Sequence, residues 1–188
     1  MKDKILVTGG AGYIGSKVSH DLLKQGHKVF IIDNLSTGYK SLIPKKANFF
    51  LCNILDKKKI INIIKKNNIN IVMHFAASLS VEESEKNPKK YFKNNVLGTQ
   101  KILEYSLFCN IKYFIFSSTC SVYGDVKKKV DENQTLEPKS IYAKTKLRSE
   151  LLIKKLSAKN NFYYSILRYF NVAGADLKNN IGCTNNNG

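Results

Sequence analysis

The sequence predicts an α/β fold: a doubly wound parallel sheet with helices on both faces. Three observations predict it. Short apolar runs alternate with longer amphipathic ones, the pattern that builds strand–helix–strand units. The short runs are nearly continuous in apolar character, Ile5-Leu6-Val7 being the first, as strands covered on both faces are. The glycines and polar residues that could bear chemistry fall just after these runs. In a parallel sheet those positions form one rim, beyond the carboxyl ends of the strands, where ligands bind.

Taken in order, residues Ile5–Thr8 read as the first strand. Ile14–Gln25 has helical spacing and stops at Gly26, since glycine readily takes the left-handed turn that ends a helix. Val29–Asp33 is the second strand and Asn48–Cys52 the third. Asp56–Lys66 is a helix, and Ile69–Ala76 the fourth strand. Pro88 opens a long helix to about Phe108, because a first-turn residue has no use for the N–H that proline lacks. Tyr113–Ser118 is the fifth strand, Ile141–Ala158 a long helix and Tyr163–Tyr169 the sixth strand. There is no internal repeat.

The bulk properties narrow the function classes. The 188 residues make one domain, and 43% apolar content supports a real core. No run approaches the roughly 18 apolar residues of a membrane span, and no signal-peptide pattern opens the chain. A cytoplasmic protein without a membrane partner is expected. The formal net charge is +17. Its lysines are scattered among abundant Asn and Ile, as a compositional bias scatters them, so no nucleic-acid partner is expected. A general attraction for anionic ligands is. Cys52, Cys109, Cys120 and Cys183 form no C-x-x-C pair and lie near no His at ligand spacing. Reduced thiols and no metal follow. His74, at the end of an apolar strand, reads as a packed ring.

The first turn is "TGGAGYIG", with Gly9, Gly10, Gly12 and Gly15. Early glycines permit a tight turn and close approach of a pyrophosphate, and the last lets helix and strand pack. The first N–H groups of the helix and its dipole favour phosphate. A glycine pattern alone is weak evidence. Here a strand precedes it, a helix follows, and a second strand ends in Asp33, 18 residues past Gly15, close to the roughly 20 typical of dinucleotide sites. A carboxylate there accepts hydrogen bonds from ribose hydroxyls and repels a 2′-phosphate, and Asn34 brings no compensating charge. The cofactor this implies is NAD rather than NADP, on a Rossmann-like fold.

The second constellation is "SIYAKTK". Tyr142 and Lys146 lie four apart on a helix, hence on one face. A free phenol, with a pKa of about 10, is a poor base at neutral pH. A nearby ammonium, joined by a positive nicotinamide ring, favours the phenolate. Tyr142 is therefore the candidate acid/base and Lys146 its electrostatic partner and a ribose ligand. Thr119, in "FSSTCSVYG" after the fifth strand, offers a hydroxyl to the reacting oxygen.

Together "VTGGAGYIGS", "DNLSTG", "HFAAS", "NNVLGT", "FSSTCSVYGD", "YAKTK" and "LRYFNVAGA" resemble the extended short-chain dehydrogenases/reductases, and among them the epimerases of UDP-sugars. The resemblance runs from residue 3 to about 176. It implies interconversion of UDP-glucose and UDP-galactose through a transient 4-keto sugar and a tightly held NAD. It implies that Gly9, Gly12, Tyr13, Ile14 and Gly15 meet the cofactor phosphates. Asp33, Asn34, Leu35, Ser36, Thr37 and Gly38 would line the adenosine ribose, and Asn53 and Ile54 the adenine. Phe75, Ala76, Ala77, Ser78 and Leu79 would run beside the cofactor, supported by Asn94. Thr119, Tyr142 and Lys146 would be catalytic and touch the cofactor, Phe170 would lie near the nicotinamide, and Asn171 would meet the phosphates of the UDP-sugar. A homodimer is compatible with the resemblance.

Two positions depart from the pattern. Asn53 stands where many relatives carry Asp for the adenine amino group, and Leu79 where some carry Lys. A third contrast excludes a neighbour: the 4,6-dehydratases carry Asp-Glu after the catalytic Thr, and Cys120-Ser121 supply neither acid nor base for losing water.

The expected division is an NAD-binding domain over 1–176 and a polar tail over 177–188, the start of a substrate domain that lies outside this chain. Two readings follow: an epimerase with its catalytic group present but an incomplete sugar pocket, or an NAD-binding fragment without turnover. In either case apolar surface meant for the missing part should be exposed.

Overall fold

The structure, a computed structural model, describes residues 2–160, 162–177, 179 and 181–182. Most of the polar tail, with Cys183, lies outside the described residues. Six parallel strands form one sheet: β1 (Lys4–Thr8), β2 (Lys28–Asp33), β3 (Asn48–Leu51), β4 (Ile71–His74), β5 (Tyr113–Thr119) and β6 (Tyr163–Tyr169). Their order is β3-β2-β1-β4-β5-β6. The chain thus winds outward from β1 through β2 to β3, returns, and winds the other way from β4, as expected of a doubly wound sheet. The switch lies between β1 and β4, where Thr8 pairs with His74. Asp33 pairs with Leu51, and Thr119 with Tyr169, so the strands end together along one rim.

Alternation within strands divides the core in two. Leu6, Phe30, Ile32, Val72, Phe114 and Phe116 face Ile60, Ile63 and Ile64 of α2 (Lys57–Asn67), Ile102 and Leu103 of α5 (Gly98–Phe108) and Ile153 of α6 (Ile141–Asn160). The intervening Ile5, Val7, Val29 and Ile31 face Leu22 and Leu23 of α1 (Tyr13–Lys24). Each fully buried aliphatic side chain contributes about 1.5–3 kcal/mol. Both faces being covered explains why the strands read as continuous apolar runs.

Three differences from the sequence reading bear on the site. First, β4 stops at His74, not Ala76, because the chain turns away at the rim: Phe75 N–H still reaches Thr8 O at 3.0 Å, but Ala76 N–H meets the Thr8 hydroxyl at 3.4 Å. Second, an unpredicted helix α3 (Val81–Lys86) follows that turn. "VEESEK" has no apolar period; its start is set by Ser80, whose hydroxyl accepts from Glu83 N–H, and by Glu82 and Glu83 at the positive end of the dipole. Third, the long helix is α4 (Pro88–Tyr91) and α5, joined by a π-helical turn over Phe92–Leu97. The extra residue in that turn lets two consecutive asparagines, Asn94 and Asn95, both reach Ser78.

At the other sheet edge, β6 pairs with β5 alone among the described residues, and Tyr163 (67%) and Phe170 (70%) are strongly exposed. No described helix is long and apolar enough to cross a membrane.

Candidate active site

The turn after β1 shows three glycines with three different reasons. Gly9 has φ +72°, and a Cβ there would stand 2.6 Å from Ala76 N. Only glycine fits. A Cβ on Gly15 would lie 2.3 Å from Gly9 O, so α1 could not rest on the turn. Gly12 is unlike them. Its φ of −86° suits any residue, and its nearest neighbour would be 3.4 Å away. Protein packing does not require glycine at 12; the missing side chain leaves open space in front of the helix. Among the described residues no side chain caps α1, and its first turn carries no acid. The helix start is therefore free to take an anion.

Asp33 closes the same groove. It is 9% exposed; one oxygen accepts from Ala11 N–H at 3.0 Å and the other from Leu35 N–H at 2.8 Å. These bonds fix the glycine turn to the end of β2 and leave each oxygen a lone pair for a further donor. The groove is lined by Gly9, Gly12, Asp33, Asn34, Ser36, Thr37, Gly38, Ile54, Phe75, Ala76, Ala77, Leu79 and Asn94, with Ile32 and Cys52 added to the residues named from sequence.

Other candidates lie elsewhere. The side chains of Tyr13 and Ile14 line a separate groove with Val172, and the Tyr13 hydroxyl donates to Gly174 O at 2.5 Å. What these two residues offer a phosphate is their backbone N–H. Leu35, at φ +57°, forms the turn after Asp33 rather than the groove wall. The Asn53 amide oxygen accepts from Leu55 N–H at 2.9 Å, which fixes the local turn and leaves one lone pair. Ser78 supports the wall from behind: its N–H and C=O both bond the side chain of Asn95. Phe170 lines a different groove with Tyr123, Arg168 and Tyr169, and Asn171 is exposed. Neither is among the residues that line the groove closed by Asp33, and Asn171 is expected at the UDP-sugar phosphates instead.

The candidate proton-transfer residues sit at the far half of the rim. Thr119 ends β5; its hydroxyl donates to Ser121 Oγ at 3.1 Å and accepts from Ser121 N–H at 3.2 Å. Tyr142 and Lys146 project from the first turns of α6. Burial pushes the Tyr142 phenol up, a hydrogen bond with Thr119 draws it down, and the Cys120 thiol opposes that. Lys146 is 2% exposed and donates to Ser117 O at 2.8 Å, with Nζ 5.9 Å from the centre of the Tyr142 ring. Burial lowers this ammonium to about 7, against the upward pull of Glu150. Among the protein's own groups burial sets the direction for the phenol, upward.

Sequence reasoning missed two supports. Glu150 is wholly buried four residues past Lys146, pairs with Arg168 of β6 at 2.7 Å and accepts from the Ser118 hydroxyl. Its i,i+4 spacing from Lys146 was a usable signal. Asn95 also donates to Thr145 Oγ1 of α6 at 3.2 Å. His74, by contrast, is the packed ring the sequence suggests: it bonds Thr8 Oγ1 at 2.6 Å and Thr99 Oγ1 at 3.0 Å, and burial, then Lys146, lowers it to about 3. No group of metal-ligating side chains occurs among the described residues.

Similarity to known proteins agrees with this geometry. The chain is 41% identical over 180 residues to the UDP-glucose 4-epimerase of Lactobacillus helveticus, covering 95% of this chain and 54% of that protein. It superposes on the crystal structure of UDP-glucose 4-epimerase from Brucella ovis in complex with NAD, with a TM-score of 0.93 at 37% identity, over 97% of this chain and 56% of the other. The UDP-glucose-4-epimerase of Stenotrophomonas maltophila, solved with bound NAD and formylated UDP-arabinopyranose, gives 0.94 at 34% identity, over 98% and 58%. The chain spans about half the length of these relatives. Residues 5–184 match the NAD dependent epimerase/dehydratase family, and with a Rossmann-like sheet, a glycine turn closed by Asp33 and a Tyr-x-x-x-Lys helix, the chain belongs to that family.

Proposed function

We propose that this chain is the NAD-binding and proton-transfer part of a UDP-glucose 4-epimerase. The observation that carries the reading is Gly12: a glycine that no protein contact demands, at an uncapped helix start, facing a groove that Asp33 closes. That cradle fits a dinucleotide. The N–H groups of Tyr13 and Ile14 would take the pyrophosphate, and Asp33 the adenosine ribose, disfavouring a 2′-phosphate. When bound, NAD supplies reversible acceptance of a hydride from the sugar carbon.

The chain's own residues then handle the proton. Tyr142 accepts it from the sugar 4-hydroxyl and later returns it to the 4-keto oxygen. Thr119, at the end of β5 on the phenol's side of the rim, holds the reacting oxygen in line. Lys146, anchored on Ser117 O with Nζ 5.9 Å from the centre of the phenol ring, lends it positive charge when protonated. Cys120 and Ser121 supply no acid–base pair for eliminating water, which favours epimerisation over dehydration. The pocket for uridine and sugar, and assembly as a homodimer, belong to this proposal as features of the whole enzyme.

Isothermal titration tests the binding half: NAD should bind, and NADP at least about tenfold more weakly. A coupled assay with UDP-galactose tests the rest. Turnover that Tyr142→Phe abolishes supports the epimerase. NAD binding without turnover leaves the second reading, a cofactor-binding fragment. No NAD binding overturns both.

A further inference from the structure

Helix α6 carries Tyr142 and Lys146, and its own sequence satisfies only part of its first turn. The Ser140 hydroxyl accepts from Ala143 N–H at 3.1 Å. The two preceding amides are taken by α3. Glu85 Oε1 accepts from Ile141 N–H at 2.7 Å. The Ser84 hydroxyl accepts from Tyr142 N–H at 3.1 Å and donates to Val81 O at 2.6 Å. Ser84 is fully buried, whereas Glu85 is exposed. With its proton committed to Val81, the Ser84 hydroxyl has one orientation, and its lone pair meets the backbone of Tyr142 and of no neighbouring residue.

The same segment reaches the cofactor groove at its other end. Ala77 and Leu79 line that groove. Between them, Ser78 is held at N–H and C=O by Asn95, which also bonds Thr145 of α6. Residues 77–85 therefore run from the groove wall to the backbone of Tyr142, fastened to α6 twice. This explains a helix that no apolar period builds: α3 serves the start of α6.

We propose that Ser84 is a positioning residue, whose hydroxyl sets the backbone of Tyr142 and through it the alignment of the phenol with a cofactor in the groove. The proposal rests on the reading of Tyr142 as the proton-transfer group. The other groups facing the phenol are the Thr119 hydroxyl and Cys120 thiol from the rim of β5 and the Lys146 ammonium from α6 itself. None of them is touched by changing Ser84.

The test is the titration of Tyr142 in the 188-residue chain, read by NMR of tyrosine labelled at Cζ and assigned with Tyr142→Phe. A positive nicotinamide ring nearby lowers the midpoint of a phenol, so saturating NAD should lower that of Tyr142. Ser84→Ala should keep the NAD dissociation constant within about twofold yet lose roughly half or more of that NAD-induced lowering. Glu85→Ala, at an exposed site, should lose a smaller part. Glu85→Gln, which keeps the acceptor oxygen without the charge, should behave as the unaltered chain. If Ser84→Ala does not fold, the Glu85 pair decides alone. A full NAD-induced shift in Ser84→Ala or, where that variant does not fold, in Glu85→Ala overturns the positioning role. So does a loss of NAD affinity in step with the loss of shift, which is plain structural damage. A phenol indifferent to NAD in the unaltered chain overturns the epimerase reading and this proposal together.

Discussion

The two halves of the sheet build their parts of the site by opposite means. On the β1–β2 side the site is made of backbone and empty space: three glycines, an uncapped helix start, and one carboxylate whose oxygens hold two amides of its own half. On the β5–β6 side it is made of buried side chains: Lys146 on Ser117 O, Glu150 on Arg168 and Ser118, and Tyr142 held from α3. The first half binds by what it leaves out. The second half pays for buried charge so that a phenol and an ammonium sit in a low-dielectric place. Variants should therefore cost stability in the second half and binding in the first.

The largest stability effect is expected at Glu150. Removing one partner of a buried ion pair leaves the other uncompensated, at about 3–5 kcal/mol. Glu150→Ala would strand Arg168, which is 10% exposed at its side chain, together with the Ser118 hydroxyl. Urea unfolding should show the loss. A cost below about 1 kcal/mol, the range of surface pairs, would break the comparison, because the second half would then tolerate the loss of its charges.

Lys146 sharpens the same point through pH. Its pKa is near 7 when folded and 10.5 as the reference. Below pH 7 the lysine is protonated in both states, and the penalty of burying its charge is fully present. Between pH 7 and 10.5 the unfolded chain holds a proton that the folded chain has shed, so stability rises with pH. Lys146→Met removes this dependence. The stability of the variant relative to the unaltered chain should therefore be highest at and below pH 7 and decline toward pH 10.5. A difference that stays constant over that window means the ammonium is not desolvated.

How much was legible in the sequence follows the same division. Gly9, Gly15 and Asp33 could be read because their constraints are local: a positive φ, a helix resting on its own turn, an acid at a strand end. The six parallel strands followed from the alternation of apolar runs, while their order in the sheet did not. Ser84 and Asn95 could not be read, because their partners lie 58 and 50 residues away and no periodicity marks them. The break in the long helix was equally hidden: nothing in "FKNNVL" distinguishes a π turn from an α turn until Asn95 bonds Ser78 and Thr145 while Asn94 bonds the Ser78 hydroxyl. Phe170 and Asn171 show the converse: motif resemblance alone gives them a place beside the nicotinamide and the UDP-sugar phosphates, and neither is among the residues that line the groove closed by Asp33.

Asp33→Asn should give a smaller stability effect and a larger binding one. An amide can accept from only one of the two N–H groups that the carboxylate now serves, a loss of about 1–2 kcal/mol. Repulsion of a 2′-phosphate also disappears, so the preference for NAD over NADP should narrow by roughly tenfold. Paired titrations of the two nucleotides would show it, and an unchanged ratio would remove Asp33 from the ribose site.

The smallest stability effect, and the sharpest test of the comparison, is Gly12→Ala set beside Gly15→Ala. Both replace a glycine of the same turn by the same methyl group. At Gly15 the methyl would lie 2.3 Å from a backbone oxygen, so α1 must move off the turn and the melting temperature must fall. At Gly12 the contact is 3.4 Å and φ is ordinary, so stability should stay within about 0.5 kcal/mol, the usual range for a substitution without a clash. The new methyl stands instead where a phosphate must approach backbone N–H groups to hydrogen-bond distance. NAD affinity should fall at least about tenfold in Gly12→Ala while the fold is untouched. Equal NAD binding in the two folded proteins would mean that the space before α1 is not the cofactor site, since a methyl group there would then obstruct nothing.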